Sequence, residues 1–126
     1  MFTGKIITVL DDDKDLLEII NAALIKEGYQ VFQYDKVDYD LFMNMANSVP
    51  DIILIDLMLS GITGDKVVNS LKKNNLLKDI PVIIMSSKDE DELRKVASSI
   101  DAVAYLKKPF RIEEMLHVIA ENLGLE

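Results

Sequence analysis

Short apolar runs alternate with segments of helical period about five times along the chain. The runs predicted to be strands are Ile6–Leu10, Gln30–Tyr34, Ile52–Ile55, Val82–Met85 and Val103–Leu106. Four of them are nearly all apolar, which is typical of strands covered on both faces, whereas Gln30–Tyr34 alternates and suits a sheet edge. This strict alternation predicts an α/β fold: a doubly wound (βα)5 unit with a single five-stranded parallel sheet.

Three of the intervening segments have a clear apolar face at helical spacing. In the first helix the predicted inward residues are Leu16, Ile20, Ala23 and Leu24. In the fourth they are Leu93, Val96, Ala97 and Ile100. In the last they are Ile112, Met115, Leu116, Ile119, Ala120 and Leu123.

Turn and capping residues predict where these helices begin and end. Gly28 is predicted to follow the end of the first helix, as a C-terminal glycine often does. Asp89 and Glu92 have the spacing of a capping box at the start of the fourth helix. Thr63 or Gly64 is expected to start the third helix.

Acidic residues follow two of the predicted strands. Asp11, Asp12 and Asp13 come directly after Ile6–Leu10, and Asp56 closes the run that begins at Ile52. Ligands of open parallel sheets bind beyond the carboxyl ends of the strands. Two carboxylates about 4 Å apart repel each other by about 4 kcal/mol at an effective dielectric near 20, so a cation is expected between them. Oxygen ligands without cysteine favour Mg²⁺ before Ca²⁺ or Mn²⁺.

Composition narrows the class of protein. The 126 residues suit one domain, 49% of them are hydrophobic, and the chain has no Cys for disulfides or thiolate metal sites. The net charge of -8 argues against direct nucleic-acid binding, which needs clustered Lys and Arg. No apolar run resembles a signal peptide or a membrane span, so we expect a cytoplasmic protein. We also expect residues 1–126 to form a single domain without an attached effector domain.

Two further groups of residues follow the fourth and fifth predicted strands. Ser86 and Ser87 end one strand, and Lys107, Lys108 and Pro109 follow the other. Together with the acids they form the stretches VLDDDKDLLEI, PDIILIDLMLSGITG, PVIIMSS and AYLKKPF. In this order and spacing, the whole chain resembles the receiver domain of two-component response regulators. The resemblance implies a chemotaxis-regulator-like, flavodoxin-like fold with strand order 2-1-3-4-5.

The resemblance also implies a phosphoacceptor and a metal site. Asp56 matches the phosphoacceptor, whose carboxylate attacks the phosphorus of the donor. Asp12 and Asp56 match direct Mg²⁺ ligands, Asp11 a ligand through water, and Met58 a ligand through its backbone carbonyl. Mn²⁺ is an alternative cation. Asp13 is explained equally well as the N-cap of the first helix.

A positively charged lysine and two residues that move on phosphorylation complete the implied site. Lys108 matches the residue that neutralises the phosphoryl group, and Pro109 is expected to follow a cis peptide bond. Ser86 matches the switch hydroxyl that donates to a phosphoryl oxygen. Tyr105 matches the aromatic residue that turns inward when this hydroxyl moves.

Ser87, Met58 and Lys88 are expected to modulate the reaction, and Ser60 is a further departure from the family pattern. Ser60 stands where the family often has Pro, and Ser87 where it often has a smaller residue. The family links the positions of Met58 and Lys88 to the hydrolysis rate of the phosphorylated form. An apolar Met58 is expected to shield the acyl phosphate from water and to lengthen its lifetime.

The resemblance implies a signalling switch rather than a conventional enzyme, although the domain catalyses its own aspartyl phosphorylation and autodephosphorylation. Its expected donors are a histidine kinase, a histidine phosphotransfer protein or a small acyl phosphate. Output is expected through the face of helix four, strand five and helix five, toward a downstream protein. Exposed candidates there are Arg94, Lys95, Lys107, Glu113 and His117. A monomer or a weak phosphorylation-dependent dimer is expected.

Two alternatives stay open at the level of sequence. One is a pseudo-receiver, a binding module that works without phosphorylation. The other is a phosphatase resembling the haloacid dehalogenase group, in which Asp11 and Asp13 would be the nucleophile and the acid. His117 lies next to the apolar stripe of the last helix and is interpreted as structural rather than as a phosphohistidine.

Overall fold

The computed structural model describes residues 2–125 and contains a five-stranded parallel sheet. Its strands are β1 (Ile6–Leu10), β2 (Gln30–Tyr34), β3 (Ile52–Asp56), β6 (Val82–Ser86) and β7 (Ala104–Lys107). A separate short hairpin pairs β4 (Met58–Leu59) with β5 (Ile62–Thr63). The helices are α1 (Lys14–Lys26), α2 (Tyr39–Asn47), α3 (Gly64–Lys72), α4 (Glu90–Ser99) and α5 (Ile112–Asn122).

The sheet order is β2-β1-β3-β6-β7, with all neighbours parallel. This confirms the predicted order 2-1-3-4-5, in which β6 and β7 are the fourth and fifth strands. It also confirms β2 as an edge strand. Its alternating sequence fits this position, since Gln30 and Gln33 are exposed while the other three residues are partly buried.

Helices cover both faces of the sheet, and each face has its own apolar core. On one face, α1 and α5 contribute Leu17, Ile20, Leu24, Met115 and Ile119. On the other face, α2, α3 and α4 contribute Leu41, Met45, Val67, Val68, Leu71, Leu93 and Ala97. Strands β3 and β6 are apolar except for their last residues, Asp56 and Ser86, and they are buried along their length because both layers lie against them.

Local predictions at the helix ends agree with the structure. The Asp89 carboxylate accepts the Glu92 N–H at the start of α4. Gly28 follows the end of α1 with a positive φ of 91°, and α3 begins at Gly64 with Thr63 as its N-cap. The described residues contain no helix with the length and apolar character that crossing a membrane requires.

Two predictions were wrong in detail. α1 buries Leu17, which was not predicted to face inward, whereas Leu16 packs against the same core only partly buried, because the helix turns the 17, 20 and 24 positions toward the sheet. The last strand begins at Ala104 rather than Val103, which is 47% exposed. The chain enters this strand through Asp101 at a φ of 57°, and the ladder with β6 starts only at Ala104.

Candidate functional site

The ends of four neighbouring strands bring the predicted site residues to one edge of the sheet. Leu10 pairs with Ile55, so the residues after β1 lie beside the end of β3. Asp56 pairs with Met85, and Ser86 pairs with Lys107, which carries the register across β6 to β7. Parallel pairing alone therefore gathers these residues from distant parts of the chain.

Asp11 directly follows β1 at this edge and is fully buried. One oxygen, Oδ1, accepts the backbone N–H of Asp13 at 2.9 Å. The other, Oδ2, accepts Lys108 Nζ at 2.6 Å. A buried carboxylate needs partners of this kind, because an unpaired buried charge is strongly unfavourable.

Asp56 is the second buried carboxylate, with 5% of its surface exposed. Its Oδ1 accepts the Met58 N–H at 3.0 Å, and its Oδ2 accepts Lys108 Nζ at 3.1 Å. Burial raises the pKa of the Asp56 carboxyl above its ordinary value, and the charge of Asp11 adds to this, while the bonds from Met58 and Lys108 oppose it. A carboxylate with a cation beside it suits a nucleophile that receives an anionic group.

Lys108 bridges the two buried acids through its ammonium group. Burial alone would lower the pKa of Lys108, but its hydrogen bonds to Asp11 and Asp56 and their charges outweigh burial and raise the pKa. The side chain therefore stays cationic at the floor of the site. The Lys108–Pro109 peptide bond is cis, as the resemblance implied.

Asp12 is the exposed acid of the cluster. Its Oδ2 accepts the hydroxyl of Ser60, at the tip of the β4–β5 hairpin, at 3.1 Å. Oxygen atoms of Asp11, Asp12 and Asp56 all lie within 4.8 Å of one another. Three hard oxygen donors with an open side fit Mg²⁺, which keeps several of its waters. The carbonyl of Met58 as a further ligand stays a prediction.

The two predicted switch residues lie on the side of the site that faces α4. Ser86 is fully buried, and its Oγ accepts the Lys88 N–H at 3.1 Å. The Tyr105 hydroxyl donates to Glu90 Oε1 at 3.0 Å. The aromatic side chain is therefore linked to the first residue of α4.

The predicted modulating residues lie around the rim of the site. Met58 is 56% exposed and lines a groove that Lys88 also lines. Ser87 lines another recess, together with Lys108 and Phe110. The side chains of these three residues border the site. The structure shows no hydrogen bond from any of these side chains to the Asp56 carboxylate.

Asp13 and His117 have structural contacts. The Asp13 carboxylate caps α1 by accepting the Leu16 N–H at 3.1 Å. His117 lies on α5, with its Nε2 3.1 Å from a carboxylate oxygen of Glu121. Neither residue joins the cluster formed by Asp11, Asp12 and Asp56.

Gly64 is a site-supporting residue whose role sequence reasoning missed. A Cβ atom at this position would lie 2.4 Å from the carbonyl oxygen of Asp56 and 3.0 Å from the Cα of Leu57. The start of α3 therefore packs directly on the backbone that carries the Asp56 side chain. The available signal was a glycine at the predicted start of a helix, where most residues are better formers.

Comparison with known proteins identifies relatives of this arrangement. Residues 7–120 match the family model described as the response regulator receiver domain. The chain is 31% identical to the phosphate regulon transcriptional regulatory protein PhoB of Pseudomonas aeruginosa over 113 residues, covering 90% of this chain and 49% of that protein. It is 32% identical to PhoB of Escherichia coli over 111 residues, covering 87% of this chain and 48% of that protein. The chain thus spans about half the length of these curated relatives.

Solved structures show the same fold. The Vibrio cholerae chemotaxis protein CheY4 has a TM-score of 0.84 at 19% identity, covering 93% of this chain and 97% of that chain. A CheY-like response regulator receiver domain protein from Methanospirillum hungatei has a TM-score of 0.84 at 25% identity, covering 95% and 94%. Both likenesses extend over nearly the entire chain on each side.

Proposed function

The chain belongs to the response regulator receiver domain family, and from this premise we propose that it is a phosphoacceptor switch. Asp56 is proposed to accept a phosphoryl group from a histidine kinase, a histidine phosphotransfer protein or a small acyl phosphate. The supporting observation is the buried Asp56 carboxylate, bound by Lys108 and within 4.8 Å of two further carboxylates. Receiver domains are signalling switches rather than conventional enzymes.

The reaction is a transfer of one phosphoryl group. A carboxylate oxygen of Asp56 forms a bond to phosphorus as the donor's P–N or P–O bond breaks, and the leaving group keeps the bonding electrons. Phosphoryl transfer needs in-line positioning and neutralisation of charge on the equatorial oxygens. Lys108 supplies a positive charge 3.1 Å from Asp56 Oδ2, and its bond to Asp11 keeps it in place.

The acid cluster is proposed to hold Mg²⁺, with Mn²⁺ as an alternative. Asp12 and Asp56 would bind the ion directly, Asp11 through a water molecule, and Met58 through its carbonyl. When bound, this ion supplies charge neutralisation for the incoming phosphoryl oxygens. Ser60 holds Asp12 from the hairpin and would orient it toward the ion.

Metal binding provides the first prediction. Asp12→Asn is expected to weaken Mg²⁺ binding by about tenfold or more, because it removes the charge of a metal ligand. Ser60→Ala is expected to weaken it by about threefold, because it removes the hydrogen bond that orients Asp12. Calorimetric titration with MgCl₂ and MnCl₂ measures both. Asp15→Asn removes the same charge from the first turn of α1 and serves as the control. Equal affinities of Asp12→Asn and Asp15→Asn would contradict the assignment.

Ser86 and Tyr105 are proposed as the switch pair. The Ser86 hydroxyl is proposed to turn toward the phosphoryl group on Asp56, and Tyr105 to leave Glu90 and follow it inward. The change would reshape the surface of α4, β7 and α5, which is the proposed contact face for a downstream protein. Exposed residues on this face include Arg94, Lys95, Lys107, Glu113 and His117.

The switch hydroxyl provides the second prediction. Ser86→Ala is expected to slow phosphoryl uptake from acetyl phosphate by about tenfold, the equivalent of one hydrogen bond to a charged oxygen. Ser86→Thr keeps the hydroxyl and is the matched control. Both rates are measured by quenching the reaction at successive times and determining the phosphorylated fraction from the intact mass. A Ser86→Ala rate within twofold of the wild type would remove Ser86 from the proposed mechanism.

The proposed chemistry has a direct test in the bond that forms. Incubation with acetyl phosphate and Mg²⁺ should give an adduct that hydroxylamine removes, because acyl phosphates are cleaved by this nucleophile. Excess chelator should prevent the adduct from forming. An adduct that forms equally well with chelator, or that survives hydroxylamine, would contradict a Mg²⁺-dependent aspartyl phosphate.

The two alternative functions, a pseudo-receiver and a phosphatase, require different roles of the acidic residues. A pseudo-receiver would take no phosphoryl group at all. The phosphatase reading needs Asp13 as an acid beside Asp11, yet Asp13 caps α1 and the Asp11 carboxylate is bound by Lys108. No observation favours it over the switch.

The location and the partners of the protein are also proposals. We propose a cytoplasmic protein, without direct nucleic-acid binding because of the net charge of -8. A monomer or a weak phosphorylation-dependent dimer is proposed. The two PhoB proteins are transcriptional regulators by name, and the matched region covers about half of each.

A further inference from the structure

Lys107, the last residue of β7, binds the loop that joins β6 to α4. Its Nζ donates to the carbonyl oxygen of Ser87 at 3.1 Å and to that of Lys88 at 3.0 Å. An exposed lysine normally keeps its rotamer freedom in water. Here two of its three donors are given to successive main-chain carbonyls, which links the edge strand to the loop.

The same loop is held at two further points. The backbone N–H of Lys108 donates to the Ser86 carbonyl at 2.7 Å. Three consecutive carbonyls, from Ser86 to Lys88, therefore accept from the Lys107–Lys108 pair. The Lys88 N–H in turn donates to Ser86 Oγ at 3.1 Å, so the loop that Lys107 binds also holds the switch hydroxyl.

We propose that Lys107 is a positioning residue that restrains the Ser86 switch. In the anchored conformation, Lys107 binds the Ser87 and Lys88 carbonyls while the Lys88 N–H holds Ser86 Oγ. When Ser86 Oγ turns toward Asp56, the Lys88 N–H loses its acceptor and the loop must shift to find another. The two bonds from Lys107 oppose that shift. This inference rests on the proposed phosphoacceptor function.

Other side-chain contacts near the loop act on different atoms. The Lys88 ammonium lies 3.7 Å from Glu92, in an exposed pair of a kind that contributes little in water. The Tyr105–Glu90 bond fixes the start of α4, beyond the loop itself. Lys107 binds the carbonyls of the two residues that directly follow Ser86. Removing its ammonium group should therefore change the mobility of the Ser86 hydroxyl.

The test removes the two donors and keeps the length of the side chain. Lys107→Met is compared with Lys107→Arg, which keeps donors, and with Lys26→Met, which removes the same charge from the exposed last turn of α1. Hydrogen exchange of the Lys88 amide, followed by NMR, reports opening of the loop. Phosphoryl uptake from acetyl phosphate with Mg²⁺ reports the freedom of the Ser86 hydroxyl.

Lys107→Met is expected to speed both Lys88 amide exchange and phosphoryl uptake by about two- to tenfold, the range set by one net hydrogen bond. Both controls should stay within twofold of the wild type. Unchanged Lys88 exchange would overturn the inference. Faster exchange with unchanged or slower uptake would overturn it as well, because Lys107 would then be a structural contact only.

Failure of the inference is distinguishable from failure of the proposed function. A wild type that takes no phosphoryl group contradicts the proposed function, and with it the role of Lys107 in switching. A wild type that is phosphorylated at the same rate as Lys107→Met contradicts the Lys107 inference alone. Urea unfolding of each variant verifies that the compared proteins are folded.

Discussion

Replacing Lys108 by methionine should slow phosphoryl uptake at Asp56 by at least about a hundredfold. The Lys108 ammonium is the positive charge that the structure aims at both Asp11 and Asp56. Methionine keeps the length and packing of the side chain but cannot neutralise charge on the transferred group. Uptake from acetyl phosphate with Mg²⁺, measured by intact mass, gives the ratio. Lys26→Met, in the exposed last turn of α1, is the control for general loss of a positive charge.

The same substitution should also change stability. Without a divalent cation, Lys108→Met leaves the fully buried Asp11 facing Asp56 with no positive charge between them. Removing one partner of a buried ion pair is expected to lower the free energy of unfolding by roughly 2–4 kcal/mol. Added Mg²⁺ should restore part of this loss, because an ion that binds only the folded state stabilises it.

Urea unfolding with and without Mg²⁺ tests this expectation. We expect a large loss for Lys108→Met in chelator, a smaller loss in Mg²⁺, and little change for Lys26→Met in either condition. A Lys108→Met protein as stable as the wild type in chelator would contradict the paired geometry. Loss of uptake with unchanged stability would leave Lys108 a role in chemistry but not in holding the acids.

Gly64→Ala is the second substitution with a large expected effect. The added Cβ would lie 2.4 Å from the Asp56 carbonyl oxygen, a distance that no relaxed structure keeps. Either α3 or the end of β3 must move, at a cost of about 3 kcal/mol. Because a small displacement of a reacting group slows chemistry strongly, uptake at Asp56 is expected to fall by about tenfold or more.

Gly61→Ala is the matched control for this effect. Gly61 has a positive φ of 81°, and a Cβ there would meet nothing within 4 Å. Its replacement adds backbone strain of about 1 kcal/mol without a clash. Urea unfolding and uptake are measured for both variants. Equal losses in the two proteins would mean that the close approach of α3 to Asp56 has no special role.

Much of the fold followed from residues whose pattern leaves few choices. The apolar strands β3 and β6 require cover on both faces, and the alternating β2 suits an edge. Once the strands are parallel, the residues after each one must meet at one edge. The acids at 11, 12 and 56 were therefore expected to lie near Lys108, and the structure brings them together. Their chemical roles remain predictions.

Details that depend on side-chain direction or on close approach were not predictable. Leu16 and Leu17 are identical in type, and only the rotation of α1 decides that Leu17 is buried. The β4–β5 hairpin rests on two pairs of residues, too short for a strand signal. The bond from Ser60 to Asp12 spans 48 positions and follows from that hairpin. The contacts of Lys107 with the β6–α4 loop likewise required the register of β7.

The proposed switch depends on acceptance of a phosphoryl group by Asp56. The most direct measurement is the intact mass of the wild type and of Asp56→Ala after incubation with Mg²⁺ and acetyl phosphate. We expect one added phosphoryl group in the wild type and none in Asp56→Ala. An adduct that persists in Asp56→Ala would contradict the site and point to Asp11, and a wild type without any adduct would contradict acceptance from this donor.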